Sequence, residues 1–265
     1  MKCFKNSKEE RNEEREMIQM KKILVEGHRG YCAKYPENTL ISYDAALDLG
    51  VDAIEFDVWL TSDKVPVLMH DGNANRTCGV NRFLRDMTLS EVKELEPCYF
   101  GKFGDEYKGK GLTVPTLEEL LQLCSKKRPD IILGVENKDY TKETVDLTVE
   151  LLKKYGFFKN CYFYAFNGRI IKYIKTKYNG RTMGYPDFQM AEFDEDTYSY
   201  YDEIGLGMNI VRSEILEIYI KKGLPIHMYC ADTTEAVELC VKKGAALITA
   251  NDPLPLMDYL RNDLF

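Results

Sequence analysis

The chain has 265 residues, of which 45% are apolar and 30% are charged, and its formal net charge is −7. This length suits one large α/β barrel or two smaller domains. The acidic balance disfavours nucleic acid as a main partner, because phosphate backbones are bound by basic surfaces. No apolar run approaches the roughly 20 residues that are needed to span a bilayer.

The first segment of the chain, residues 1–20, is polar and highly charged, without an apolar stripe wide enough to dock on a core. We predict a disordered tail there, followed by one domain over 21–265. The segment also lacks the apolar centre of a secretory signal, so the cytoplasm is the expected location. The eight cysteines are scattered without a CxxC pair, which favours reduced thiols over a zinc site or a disulfide framework.

Strands and helices alternate from the end of this segment onward. A short buried strand is predicted over 22–27, and a helix is predicted over 39–50. Asn38 is the predicted N-cap of this helix and Gly50 its stop signal. Two apolar segments follow with only a short polar turn between them. Because that turn is too short for a helical crossover, we predict a tight hairpin.

The remaining elements continue the alternation. Helices are predicted over 88–95, 116–127, 141–155, 168–178, 213–223 and 233–244, and strands over 130–137, 161–166, 181–185, 205–211, 225–230 and 246–252. This pattern is typical of parallel βαβ units, and eight or nine strands in this length favour a closed (β/α)₈ TIM barrel. A doubly wound sheet is the alternative, but no GxGxxG or GxxxxGK[ST] motif follows any strand. The long connection over about 73–116 is predicted to be a small insertion after the third strand.

Two carboxylates, Glu55 and Asp57, lie in the otherwise apolar first strand of the hairpin. A buried charge is costly unless it is paired or binds a cation. Residues two apart on a strand point to one face, and two converging carboxylates suit a hard divalent cation, Mg²⁺ or Ca²⁺. A hairpin centred on the turn would place His70 opposite Glu55, and therefore a histidine beside the cation. The same register pairs Leu68 with Asp57.

Other polar residues stand where predicted strands end, and in a TIM barrel those ends form one rim. They are His28, Arg29, His70, Glu136 and Lys138. For the strand that carries the two carboxylates, the tight turn leaves the direction ambiguous. Taken singly, each residue has a structural explanation: an edge strand facing solvent, a packed histidine or a surface ion pair. Taken together at one rim, they favour a catalytic site.

The motifs of the segment Glu26–Gly79 carry a family resemblance. HRG at 28–30, PENT at 36–39, EFD at 55–57 and TSDKVPVLMHD at 61–71 resemble, in order and spacing, the signature of the glycerophosphodiester phosphodiesterase family, within the PLC-like phosphodiesterase superfamily. The resemblance implies a TIM barrel that hydrolyses glycerophosphodiesters to sn-glycerol 3-phosphate and an alcohol. It also implies that the insertion shapes the pocket for the alcohol.

The resemblance further implies a role for each residue at the rim. The ligands of one Ca²⁺ or Mg²⁺ would be Glu55, Asp57 and Glu136. His28 would act as general base and His70 as general acid, while Arg29 and Lys138 would bind the substrate. Three later segments depart from the family pattern and put the shape of the alcohol pocket in doubt: Ala165-Phe166-Asn167, MYCAD at 228–232 and TANDP at 249–253.

Three other functions stay open at this point. The first is a related barrel phosphodiesterase that acts on a lysophospholipid, and the second is a non-catalytic barrel that binds phosphodiesters. The third is a glycosidase that uses Glu55 and Asp57, although carboxylates two apart on one strand are usually too close for that chemistry. His227 lies on an apolar strand and is predicted to be a packed core residue.

Overall fold

The structure is a computed structural model that describes residues 23–262, so the predictions for 1–20 lie outside the described residues. Within this range nine strands form one sheet. They are β1 (Leu24–Gly27), β2 (Ala53–Leu60), β3 (Pro66–Leu68), β4 (Ile132–Asn137), β5 (Cys161–Tyr164), β6 (Thr182–Gly184), β7 (Glu203–Gly207), β8 (Ile226–Tyr229) and β9 (Leu247–Ala250).

Eight of these strands are parallel and close into a barrel. Strand β1 pairs with β9 on one side and with β2 on the other, so that no free edge is left between the first and last strands. The ninth strand, β3, is antiparallel to β2 and lies outside the parallel series. The predicted α/β fold, a (β/α)₈ TIM barrel, is therefore confirmed.

Helices connect the strands and pack around the barrel. They are α1 (Leu40–Leu49), α2 (Asn75–Cys78), α3 (Leu89–Lys93), α4 (Phe100–Phe103), α5 (Leu117–Lys127), α6 (Lys142–Lys154), α7 (Gly168–Tyr178), α8 (Met208–Val211), α9 (Leu216–Ile220), α10 (Thr234–Lys242) and α11 (Leu254–Asn262). Single 3₁₀ turns occur at Leu84–Asp86, Phe158–Asn160, Asp187–Gln189 and Thr197–Tyr200. In the part of the chain that the structure describes, no helix has the length and apolar character needed to cross a membrane.

The predicted N-cap of α1 is wrong by one residue. Thr39 caps the helix, because its side chain accepts a hydrogen bond from the backbone N–H of Ser42. Asn38 has a left-handed φ of 54° and directs its side chain toward the barrel. The predicted stop at Gly50 is correct, since this residue adopts the left-handed conformation that ends many helices.

The hairpin of β2 and β3 is confirmed, but its predicted register is wrong by one residue. Val58 lies opposite Leu68, so Asp57 does not pair with Leu68. The turn is closed between Thr61 and Val65, with the N–H of Thr61 donating to the carbonyl of Val65 at 3.1 Å. Three residues, 62–64, therefore lie between this closing pair, whereas the predicted register requires an even number. Because β3 ends at Leu68, the pairing does not fix the position of His70.

The predicted strand over 205–211 is wrong in its second half. Strand β7 begins earlier, at Glu203, and the chain becomes helical from Met208. Ile210 and Val211, which belong to this helix, are buried. A short apolar run can be buried in either conformation, which is why periodicity could not separate the two.

A second, small apolar cluster packs the segment between β3 and β4 against β3. Its buried members are Val67, Met69, Ala74, Leu84, Met87, Val92, Leu95 and Val114. Two helices around it begin with a capping box, at Thr88 and at the predicted cap Thr116. The range of the predicted insertion, about 73–116, falls within this segment, and one of its helices carries a side chain that reaches the active site.

Candidate active site

The direction of β2, ambiguous in the sequence, is fixed by its neighbours. Strand β2 runs parallel to β1 and β4, so Glu55 and Asp57 approach the carboxyl-terminal rim of the barrel. In the register of β2 and β4, Asp57 is paired with Glu136. The rim therefore collects all three predicted carboxylates from two adjacent strands.

The three carboxylates converge. Oxygen atoms of Glu55, Asp57 and Glu136 lie within 4.8 Å of one another, and all three side chains are buried. Burial and the charge of Asp57 raise the pKa of Glu55 well above its ordinary value, and the same two causes raise the pKa of Glu136 to about 8. Burial also opposes the charge of Asp57, but Arg29 and Lys138 outweigh it and lower the pKa to about 2.

The oxygen atoms of these three carboxylates fit a divalent metal ion. The Oδ1 atom of Asp57 is buried and has no hydrogen-bond partner among the described residues. Such an orphaned acceptor is unusual in a native interior. Together with the carboxylates of Glu55 and Glu136, it offers the hard oxygen ligands that Ca²⁺ and Mg²⁺ prefer. These three residues could therefore hold a divalent cation.

Hydrogen bonds fix the orientation of two of these carboxylates. Glu55 accepts the backbone N–H of Arg29 at 2.9 Å and the hydroxyl of Tyr164 at 2.6 Å. Asp57 accepts the side-chain amide of Asn38 at 2.8 Å on Oδ2, which leaves Oδ1 free of such bonds. This use of Asn38 explains why it does not cap α1. A capping preference, read from sequence alone, could not reveal it.

The predicted histidines line the same cavity as Glu55 and Glu136, a space of about 220 Å³. His28 Nδ1 lies 2.7 Å from Oδ1 of Asn251, while its Nε2 lies 3.8 Å from Glu55. Burial and the nearby Arg29 lower the pKa of His28 to about 4, which keeps the imidazole neutral. His70 Nδ1 lies 2.6 Å from Oδ1 of Asp71, and burial lowers its pKa as well.

The two basic side chains predicted to bind substrate, Arg29 and Lys138, also line this cavity. Arg29 donates to Glu37 at 2.9 Å and lies 3.3 Å from Asp57 through Nε. Lys138 donates to Glu136 at 2.9 Å and lies 3.7 Å from Asp57. The structure thus brings all seven predicted site residues together.

Arg76, on α2 of the insertion, was not predicted and connects both sides of the site. Its guanidinium donates to Glu37 at 3.0 and 2.6 Å and, through Nε, to Asp71 at 2.5 Å. Glu37 in turn holds Arg29, and Asp71 holds His70. Glu37 belongs to the PENT motif, but nothing in the sequence indicated that Arg76 folds back onto it.

Aromatic rings form part of the cavity wall. Phe166 stacks on Tyr185 with ring centroids 3.9 Å apart, and Tyr229 meets Tyr185 edge to face at 5.8 Å. All three rings line the cavity. The lining of the site therefore combines charged side chains with a group of packed aromatic rings.

Known proteins resemble this chain over most of its length. The chain is 29% identical over 250 residues to the glycerophosphodiester phosphodiesterase of Caldanaerobacter subterraneus, which covers 91% of this chain and 98% of that one. In fold it is similar to a glycerophosphodiester phosphodiesterase from Agrobacterium tumefaciens, with a TM-score of 0.74, 23% identity and coverage of 89% and 100%. It is also similar to an Oleispira antarctica phosphodiesterase in complex with the product sn-glycerol-3-phosphate, with a TM-score of 0.76, 21% identity and coverage of 90% and 96%. The model of one family matches residues 28–254, and the chain therefore belongs to the glycerophosphoryl diester phosphodiesterase family.

Proposed function

We propose that this protein hydrolyses glycerophosphodiesters to sn-glycerol 3-phosphate and an alcohol, with one Ca²⁺ or Mg²⁺ held by Glu55, Asp57 and Glu136. The observation that carries the proposal is the convergence of these buried carboxylates within 4.8 Å, on a cavity that two histidines share. The name of the relative from Caldanaerobacter subterraneus and the product bound to the Oleispira antarctica protein support the same reaction. A cytoplasmic location and a small-molecule substrate remain predictions.

The charged residues would bind the diester through its phosphate. A bound divalent cation would supply positive charge against the negative charge that develops on the phosphate oxygens. Arg29 offers a planar fork of donors that matches two of these oxygens. Lys138, directly after β4, adds a second positive charge, and Glu37 keeps the Arg29 guanidinium at the rim before substrate enters.

The two histidines would move the protons. His28 is neutral and its Nδ1 is engaged by Asn251, so Nε2 can accept the proton of the attacking hydroxyl. The bond between phosphorus and the alcohol oxygen then breaks, and His70 gives its proton to that oxygen. The hydrogen bond to Asp71 favours the charged form of His70 and so opposes the lowering of its pKa by burial. Each transfer contributes roughly 10² to 10⁴ in rate. The attacking group is either water, which gives sn-glycerol 3-phosphate directly, or the 2-hydroxyl of the glycerol, which gives a cyclic phosphate that water must then open.

Removal of the cation tests this function. Turnover of glycerophosphocholine should vanish in chelator and return with Ca²⁺ or Mg²⁺, and it should be lost in His28→Ala and His70→Ala. Asp57→Asn should weaken cation binding and turnover together, whereas the exposed Asp105→Asn serves as the control. Full turnover in chelator, or a loss of turnover in Asp57→Asn with unchanged cation affinity, would contradict the proposal.

A further inference from the structure

The active-site cavity continues below the carboxylates into the barrel. Its floor is lined by Glu26, Tyr162, His227 and Thr249, none of which has a role in the chemistry proposed above. Glu26 is paired with Ala53, which precedes Glu55 by two residues on β2. This spacing corresponds to roughly 7 Å along a strand. The floor therefore lies one layer of side chains below the carboxylates of the rim.

The carboxyl group of Glu26 is held in place by two hydroxyls. Tyr162 donates to its Oε1 at 2.6 Å, and Thr249 donates to its Oε2 at 2.7 Å. Gly134 leaves room for this arrangement, since a Cβ there would lie 2.8 Å from Oε1. Each carboxyl oxygen can accept a further hydrogen bond. Glu26 thus presents a fixed acceptor to the cavity.

His227 supplies a second polar group that has no partner. The residue is buried, as predicted, and its ring packs edge to face on Tyr162 at 4.9 Å. Its Nε2 lies 3.0 Å from Glu203, but its Nδ1 is buried and has no hydrogen-bond partner among the described residues. Buried polar atoms in native interiors are almost always paired. An atom left unpaired at the bottom of a substrate cavity is therefore free to bind a ligand.

We propose that this floor, formed by Glu26, Tyr162, His227 and Thr249, binds the terminal hydroxyl of the substrate's glycerol moiety. The inference rests on the function proposed above. At ordinary bond lengths, the distance from the phosphorus atom to the terminal oxygen of an extended glycerol arm is roughly 6 Å. This distance is close to the depth of one layer of side chains. A hydroxyl there can donate its one proton either to Glu26 or to Nδ1 of His227, whose Nε2 faces the Glu203 carboxylate. The alcohol arm is then directed to the aromatic wall.

This placement selects the class of diester. The terminal hydroxyl must be free, because all four residues of the floor are buried and an acyl chain on this hydroxyl would have to pass between them. The enzyme should therefore act on fully deacylated glycerophosphodiesters and reject lysophospholipids that are acylated at this hydroxyl. A site built to bond a hydroxyl also discriminates strongly against an analogue that lacks it.

The test compares two substrates that differ only at this hydroxyl. One is glycerophosphocholine, and the other is the phosphocholine diester of propane-1,2-diol, which keeps the 2-hydroxyl and lacks the terminal one. With Ca²⁺ present, kcat/KM of the wild-type enzyme should be at least tenfold higher for the first, and calorimetric affinity for sn-glycerol 3-phosphate should exceed that for propane-1,2-diol phosphate. Equal values overturn this inference and leave the proposed hydrolysis standing. No turnover of either diester overturns both.

Variants then assign the preference to the floor. In His227→Phe, which keeps a ring against Tyr162, and in Glu26→Gln, the ratio of the two kcat/KM values should fall toward one. Thr249→Val is a third variant in case either of these fails to fold, which thermal unfolding would reveal. A purely structural role would lower both values by one factor, and an unchanged ratio therefore contradicts the inference. Wild-type turnover of lysophosphatidylcholine at a rate similar to that of glycerophosphocholine would contradict it as well.

Discussion

At the scale of single residues, Arg76 couples the insertion to the chemistry. It fixes Asp71, which holds His70, and Glu37, which holds Arg29. Burial raises the pKa of Glu37, but Arg76 and Arg29 outweigh burial and lower it, so this carboxylate stays charged between two guanidinium groups. One side chain thereby orients both a proposed acid and a proposed phosphate ligand.

Replacing Arg76 by Met should lower kcat about 10- to 100-fold, the range typical when a group that orients a functional residue is lost. Arg76→Lys should recover only part of this, because an ammonium cannot bond Glu37 and Asp71 with one planar fork. Steady-state kinetics and the pH dependence of kcat measure the effect. Arg82→Met, an exposed change in the same segment, is the control. A kcat for Arg76→Met equal to that of this control would show that Arg76 has no orienting role.

Asn38 has a similar role toward the cation. Its amide holds Oδ2 of Asp57, and the hydroxyl of Tyr43 holds Asn38 in turn at 2.6 Å. Asn38→Ala should therefore weaken Ca²⁺ affinity about tenfold, as measured by titration calorimetry. Asn179→Ala is a matched control, since both asparagines adopt a left-handed φ and only Asn38 touches the site. Equal Ca²⁺ affinity in the two variants would show that Asn38 does not orient Asp57 for cation binding.

These residues show what sequence reasoning can reach at this scale. Glu55 and Asp57 were predictable, because alternation on a strand fixes which side chains converge. Asn38 was misassigned, because a residue of the same type can cap a helix or bond a distant carboxylate. Arg76 was not predictable, since its contacts depend on how a long connection folds back on the barrel.

At the scale of elements, the alternation of strands and helices was predictable, whereas boundaries set by tertiary packing were not. The run over 205–211 divides between β7 and α8, because the chain becomes helical directly after Gly207 and this helix buries Ile210 and Val211. Helix α11 was not predicted, because Pro255 stands in its first turn. Proline is tolerated there, since the first N–H groups of a helix have no partner within it.

The hairpin between β2 and β3 contains a local strain that can be tested. Lys64 ends the three-residue turn with a φ of 66°, a region that disfavours side chains with a Cβ. Lys64→Gly should raise the free energy of unfolding by about 0.5 to 1 kcal/mol, and urea denaturation measures it. The exposed ion pair with Glu143 contributes little to offset this. Lys64→Ala keeps the strain, so an equal gain in that variant would exclude this explanation.

At the scale of the whole molecule, the closed barrel was predictable because the number of strands and the length of the helices leave few topologies. Closure of the barrel also buries carboxylates at the rim, which makes the stability of the fold depend on pH. Burial and Asp57 raise the pKa of Glu136 to about 8 from an ordinary 4.5. A carboxyl whose pKa is raised on folding destabilises the fold progressively as pH rises through this interval. The cation-free protein should therefore be less stable at pH 8 than near pH 5.

A bound cation should reverse this effect, and Glu136→Gln separates the two contributions. In chelator at pH 8, we expect the variant to melt at or above the wild-type temperature, because the amide removes one buried charge from the triad. Ca²⁺ at about 100 times its Kd stabilises the wild type by about 2.7 kcal/mol, or about 5 to 10 °C. The variant should lose most of this shift, whereas the exposed Glu238→Gln should keep it. A wild-type melting temperature that does not respond to Ca²⁺ or Mg²⁺ would mean that the three carboxylates do not hold the ion.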